Sequence, residues 1–178
     1  MGTLREAPPA RLFTAVMHRP GYDPEPLLLR LAGRYGTMDV RSVHYPFASD
    51  YYEREMGPGL VKFFVSFSAL LPQDLLSRVK RETNELEAQD ADDRGRACNL
   101  DPGIVTHYSV VLATTKGFAH RIYLGEGIYA EPELIFRRDS LEALPWTYPD
   151  YREAAALDFF REVRRLLLKQ TAESSLRP

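Results

Sequence analysis

The chain has 178 residues, 44% of them hydrophobic and 27% charged, with a formal net charge of -2 and a pI near 6.1. These values exclude intrinsic disorder and leave no global field that would draw the chain onto nucleic acid or an anionic membrane. A chain of this length can bury roughly 70% of its unfolded surface in one domain.

The one cysteine, Cys98, excludes an internal disulfide and any zinc site built from paired thiolates. No eighteen apolar residues run together, so no membrane span is expected. The N-terminal region lacks a signal-peptide run, and Glu6 stands where myristoylation requires Ser or Thr. Together these features predict a cytoplasmic protein.

Residues 1–10, with Pro8 and Pro9, read as a flexible leader, and residues 11–178 as a single α+β domain. Residues 12–17 predict a first strand. Pro24 and Pro26 open a helix carrying Leu27, Leu28 and Leu31, and Gly36 closes it. Residues 40–47 predict a second strand, and residues 49–59 a polar loop in which Asp50-Tyr51-Tyr52-Glu53-Arg54-Glu55 is either a binding segment or the first turn of a surface helix. Residues 60–67 alternate cleanly, with Val61, Phe63, Val65 and Phe67 on one side and Lys62, Phe64 and Ser66 on the other. Pro72 opens a second helix with Leu75, Val79 and Leu86 on one stripe, and residues 96–100 predict a fourth strand. In order this reads βαββαβ, the ferredoxin-like arrangement.

Beyond that core, residues 102–115 suit a strand or a buried helix. Helix is favoured, because Ile104, Tyr108 and Val111 follow its spacing. Residues 121–124 and 128–136 predict two strands joined across Gly125-Glu126-Gly127, and residues 141–146 a third. Thr147-Tyr148-Pro149-Asp150 has a capping-box layout and predicts a long final helix to about residue 170. The expected fold is therefore a ferredoxin-like core extended by a C-terminal β-hairpin and a terminal helix.

Several motifs fail on context. Gly125-x-Gly127-x-x-Ala130 has dinucleotide-fingerprint spelling but is followed by extended sequence, so it reads as a hairpin turn. No GTPase, hydrolase-elbow or zincin motif occurs. The four histidines are scattered, and Asp90, Asp92 and Asp93 read as a solvated turn, so no metal site is assigned and no cofactor is named.

The stretch from Arg96 to Glu131 carries the most chemistry. Strand alternation sends Cys98 and Leu100 to the helices and Asn99 and Asp101 to the opposite face, beside Lys62 and Ser66. In a βαββαβ sheet that face is open unless later elements cover it. Lys116, His120 and Arg121 precede a hairpin that adds Tyr123, Tyr129 and Glu131. Fixed cations with an imidazole suit a phosphate or carboxylate. Arg121 with Glu131 is also, taken alone, an ordinary cross-strand ion pair. Arg161, Arg164, Arg165 and Lys169 read as a solvated helix face opposite Phe160, Val163 and Leu167.

The motifs Tyr51-Tyr52-Glu53-x-Glu55-Met56-Gly57, Thr83-Asn84-x-Leu86-Glu87, Asn99-Leu100-Asp101-Pro102-Gly103, Leu112-Ala113-Thr114-Thr115-Lys116, His120-Arg121-Ile122-Tyr123-Leu124 and Trp146-Thr147-Tyr148-Pro149-Asp150-Tyr151 occur in this order. With them the chain resembles a bacterial family, domain-of-unknown-function family 4416, over nearly its whole length after residue 10. The resemblance implies a bacterial cytosolic protein and supplies no activity. A "GTP-binding" label sometimes attached to members finds no GTPase motif in this sequence.

The functional expectation is a domain that binds, or acts on, a phosphorylated small molecule or nucleotide. His120 would be acid or base, with Asp101 or Glu131 orienting it or holding a cation. Asn99, Lys116, Arg121, Tyr123, Tyr129, Lys62, Tyr51 and Glu55 would contact the ligand. The competing expectation is a non-enzymatic module that uses the open sheet face and its tyrosines to bind RNA or protein; nucleic acid is the less favoured partner.

Overall fold

The structure, a computed structural model, describes residues 2–138 and 140–175. Residues 1, 139 and 176–178, which include the outer ends of the expected leader and domain, lie outside the described residues. Strand β1 (Ala10–His18) lies between β4 (Leu60–Leu71) and β5 (Cys98–Val105), antiparallel to both. The outer edge of β4 carries β2 (Met38–Arg41) and β3 (Tyr45–Phe47). Beyond β5 come β6 (Ser109–Thr114) and then β8 (Ile128–Arg137). The far edge of β8 pairs with β7 (Ile122–Gly125) at one end and β9 (Ser140–Ala143) at the other. The result is one large antiparallel sheet in a mixed α/β protein.

Helices cover both faces of this sheet. Helices α1 (Glu25–Tyr35) and α3 (Leu76–Gln89) place Leu27, Leu28, Leu31, Val79 and Leu86 against Val16, Phe63, Val65, Phe67, Cys98 and Leu100. On the opposite face α4 (Ala154–Ser175) packs Phe159, Phe160 and Val163 against Phe13, Phe64, Val110, Leu112 and Leu134. The face expected to be open is therefore largely filled by α4. The reason lies in β1 and β4, whose residues are apolar on both sides: Phe13 and Phe64 form T-shaped pairs with Phe160, which one-sided burial would have left in water. No helix among the described residues is long and apolar enough to cross a membrane.

Other expectations are corrected as well. Residues 40–47 are two short strands, because at Ser42 the chain leaves the ladder and the Phe64 amide donates to Ser42 Oγ. In the polar loop the helical alternative holds: Asp50–Met56 form helix α2, anchored by buried Met56 on Met17 and Leu60. The strand expected at 96–100 starts at Cys98 and runs to Val105. Residues 102–115 are not helical; β5 and β6 form a hairpin whose turn is tied by Thr106 Oγ1, which accepts from the Tyr108 and Ser109 amides. Gly103 permits that arrangement, since a Cβ there would lie 2.4 Å from the Phe13 ring. The final helix starts at Ala154, after a 3-10 turn at Pro149–Arg152. Thr147 does not cap it, because its hydroxyl is held by Glu133 O and the Leu144 amide. The hairpin at Gly125-Glu126-Gly127 forms as expected, with φ of 103°, 55° and 78° at the three residues.

Candidate functional site

Strands β5 and β6 pair only from Gly103↔Leu112 to Val105↔Val110. Antiparallel strands alternate the direction of their backbone groups, so residues 100, 102 and 104 address β6. Pro102 has no N–H to offer, the ladder stops there, and the strands part. Helix α3 satisfies the backbone that is left over. Glu87 accepts the Leu100 amide at 2.7 Å, and Lys80 donates to the Leu100 carbonyl at 2.7 Å. Both side chains are buried, although they lie on the same helical stripe as Leu76, Val79 and Leu86.

The parting opens a cavity of about 770 Å³, the size of a small-molecule site. Its inner wall comes from Met17, Lys62, Asn99 and Asp101 on the sheet and Tyr151 in the 3-10 turn. Its outer wall comes from Tyr51, Tyr52 and Glu55 of α2 and from Thr114, Thr115 and Lys116 at the end of β6.

Most of the charge in this cavity is paired. Lys62 Nζ lies 2.5 Å from Asp150 Oδ2, and Tyr45 donates to the same oxygen. Asp101 receives Lys80 at 3.2 Å and Asn99 Nδ2 at 2.7 Å. Burial opposes ionisation of Asp101, but Lys80 and Lys62 outweigh it and hold the carboxyl below the ordinary range. Arg96 joins three elements at once, donating to Glu87 and Asn99 at 2.8 Å and to Glu55 at 2.7 Å. Lys116 differs. Among the described residues it has no carboxylate partner, and its ammonium lies 4.1 Å from the Tyr51 ring centre.

The structure divides the residues that the sequence singled out. Asn99, Asp101, Lys116, Lys62, Tyr51 and Glu55 share the cavity wall. His120, Arg121, Tyr123, Tyr129 and Glu131 do not line it. Buried Glu131 has His120 Nε2 at 2.6 Å on one oxygen and Arg121 Nη2 at 2.9 Å on the other. His120 also stacks on Trp146 at 4.5 Å, and Tyr123 packs against Tyr129 at 5.1 Å. Of Asn99, Asp101, Lys116 and His120, the cavity wall brings together the first three. His120 belongs to the neighbouring cluster because Glu131, not Asp101, is across the ladder from Leu112 and within its reach. The two groups touch through Arg121, which donates to Tyr148 Oη at 3.1 Å and to the Lys116 carbonyl at 2.8 Å.

Sequence reasoning missed Lys80, Asn84, Glu87, Arg96, Tyr148, Asp150 and Tyr151 as cavity residues. Charged Lys80 and Glu87 on an apolar stripe were the available signal. The acidic turn is a set of ion pairs: Asp90 engages Arg30 and Tyr22, and Asp92 engages Arg19 and Arg94. On α4, Arg161 pairs with Asp158, Arg165 with Glu162 and Lys169 with Glu173, while Arg164 donates to His107 O. Cys98 is buried, and burial pushes its thiol up to about 11, so it offers no nucleophile at neutral pH.

Fold and site together describe a mixed α/β protein whose antiparallel sheet splits to form a polar, aromatic-walled cavity. A family model described as a domain of unknown function (DUF4416) matches residues 8–166, and the chain belongs to that family. No curated protein and no solved structure matches it.

Proposed function

We propose that the cavity binds a phosphorylated small molecule or nucleotide, with the anionic group at its mouth on Lys116. The observation that supports this is the contrast between Lys116 and the other cations of the wall. Lys62, Lys80 and Arg96 are each neutralised by a carboxylate, whereas Lys116 rests only on an aromatic face. An arriving phosphate would gain a charge-assisted contact there without breaking an ion pair. Tyr51, Tyr52 and Tyr148 supply flat apolar surface beside it.

An enzymatic version of this reading relies on Asp101, one of the carboxylates in the cavity wall, because His120 is engaged by Glu131 outside it. The RNA- or protein-binding alternative has weaker support: α4 fills most of the sheet face it needs, and the α4 arginines are already paired or packed. The strand order β2-β4-β1-β5 supports a ferredoxin-like reading of the first half, and the lone buried cysteine agrees with a cytoplasmic location.

Thermal unfolding in the presence of nucleoside monophosphates and sugar phosphates tests the proposal, with the dephosphorylated compounds as controls. At a hundredfold excess over Kd, binding should raise Tm by about 5–10 °C. Lys116→Ala should lose that shift while keeping its own Tm. Equal stabilisation by the dephosphorylated compounds, or none by the whole panel, would sink it.

A further inference from the structure

The inner end of the cavity differs from its mouth in what it can accept. Lys62 is enclosed by the Phe47, Phe64 and Tyr151 rings at 4.7, 5.8 and 5.7 Å and is neutralised by Asp150. Asp101 is neutralised by Lys80. A second anion at this end would meet a cation already committed to a carboxylate, in surroundings where charge is poorly screened. The inner end therefore excludes a phosphate.

It is not inert, however. Tyr151 is 1% exposed, lines the cavity, and its Oη has no hydrogen-bond partner among the described residues. Buried hydroxyls are seldom left without a partner, and such a group costs stability until something bonds it. Burial, with Glu133, Asp150 and Asp101 nearby, pushes the Tyr151 hydroxyl well above its ordinary range, so it keeps its proton and acts as a donor. Carboxylate oxygens accept several hydrogen bonds each, so Asp101 and Asp150 retain acceptor capacity. A donor beside acceptors, with no net charge, is complementary to hydroxyl groups, each of which is one donor and two acceptors.

Resting on the proposed anion site at Lys116, we infer that the ligand is a phosphorylated polyhydroxy compound, of the sugar-phosphate or ribonucleotide kind. It lies with its phosphate at Lys116 and its neutral hydroxylated end against Tyr151, Asp101 and Asp150. The two sources share this chemistry, and the aromatic wall at Tyr51 and Tyr52 is what a base would use in addition.

Calorimetric titration of the full chain separates the possibilities. The probes are ribose 5-phosphate, adenosine 5′-monophosphate and its 2′,3′-dideoxy analogue, each against wild type, Tyr151→Phe and Lys116→Ala. The wild type should prefer hydroxylated over dideoxy nucleotide by about tenfold or more, the worth of one or two hydrogen bonds. Tyr151→Phe should lose that preference, bind the dideoxy analogue unchanged, and melt no lower than wild type without ligand, since only an unpartnered hydroxyl is removed. Tighter binding of the nucleotide than of ribose 5-phosphate would assign the aromatic wall to a base; equal binding would assign the site to sugar phosphates. If phosphate compounds bind through Lys116 with no preference for hydroxyls, the inference fails while the anion site stands. If no phosphorylated probe binds, both fail.

Discussion

Two charged clusters built from the same residue types lie side by side in this protein and behave differently. On β8, Glu131 is saturated by His120 and Arg121, and nothing separates the three side chains. Between β5 and β6, Lys62, Lys80, Arg96, Asp101, Glu87 and Asp150 are also paired, yet they stand around a cavity of about 770 Å³. The difference is in the backbone. Strand β8 is hydrogen-bonded to β6 on one side and β7 on the other at Ala130, so its side chains must close on each other. Strand β5 loses its partner at Pro102, and side chains from α3 hold its edge open. Charge composition alone does not make a ligand site; a place where the sheet cannot continue does.

The comparison is broken most directly at Glu87, which ties the Leu100 amide and Arg96 to α3. Glu87→Ala should cost about 2–4 kcal/mol in urea unfolding, because the buried Leu100 amide loses its acceptor and the half-buried Arg96 guanidinium loses one of its two carboxylates. A loss under about 1 kcal/mol would mean that the open strand edge needs no such support.

Glu133 lies between the clusters, fully buried, with Oε1 unpartnered and Oε2 accepting the Tyr148 amide. Burial pushes its carboxyl up to about 8, Glu131 and Asp150 adding to the effect. A folded-state pKa raised above the unfolded one favours the protonated folded form. Its contribution is complete below about 4.5 and is lost as pH rises to about 8. On the order of 5 kcal/mol should disappear across that window, and Glu133→Gln should flatten the profile. An unchanged slope in the variant would assign the titration elsewhere.

Glu131→Gln sharpens the contrast between the two regions. It should lower stability by about 1–3 kcal/mol, through weakened bonds to His120 and Arg121, and leave phosphate-dependent stabilisation intact. Loss of ligand response without loss of stability would instead move the functional centre to the hairpin. The smallest effect is expected at Cys98. Its buried thiol should react with an aromatic disulfide only at the rate of unfolding, and fast labelling of the native chain would contradict its placement.

Much of this architecture could be read from local patterns. The alternation in β4, the leucine stripes of α1 and α3 and the Gly125-Glu126-Gly127 turn are set by neighbours within a few residues, and each formed as expected. So did the facing of Cys98 and Leu100 towards the helices and of Asn99 and Asp101 away from them, which follows from strand geometry alone. Where both faces of a strand are buried the pattern disappears. Val110, Val111 and Leu112 read equally well as helix because α3 packs near one side of β6 and α4 near the other. Thr147 resembled a helix cap until Glu133 O, fourteen residues away, took its hydroxyl.

The cavity itself was half legible. Asn99, Asp101 and Lys62 could be assigned to one face from the sequence, since each lies on a strand of readable phase; Lys116 could not, because the residues before it read as helix. That His120 would turn to Glu131, and that Tyr151 and Asp150 would come from beyond residue 145 to complete the wall, depended on contacts between elements far apart in the chain. Alternation and turn chemistry act over a few residues, and the sequence by itself determined what they govern: strands, helices and the direction of each side chain. Pairing between distant charges and the end of the β5–β6 ladder are decided by which surfaces meet on folding. Only the tertiary structure could show that one cluster closes on itself and the other surrounds a space.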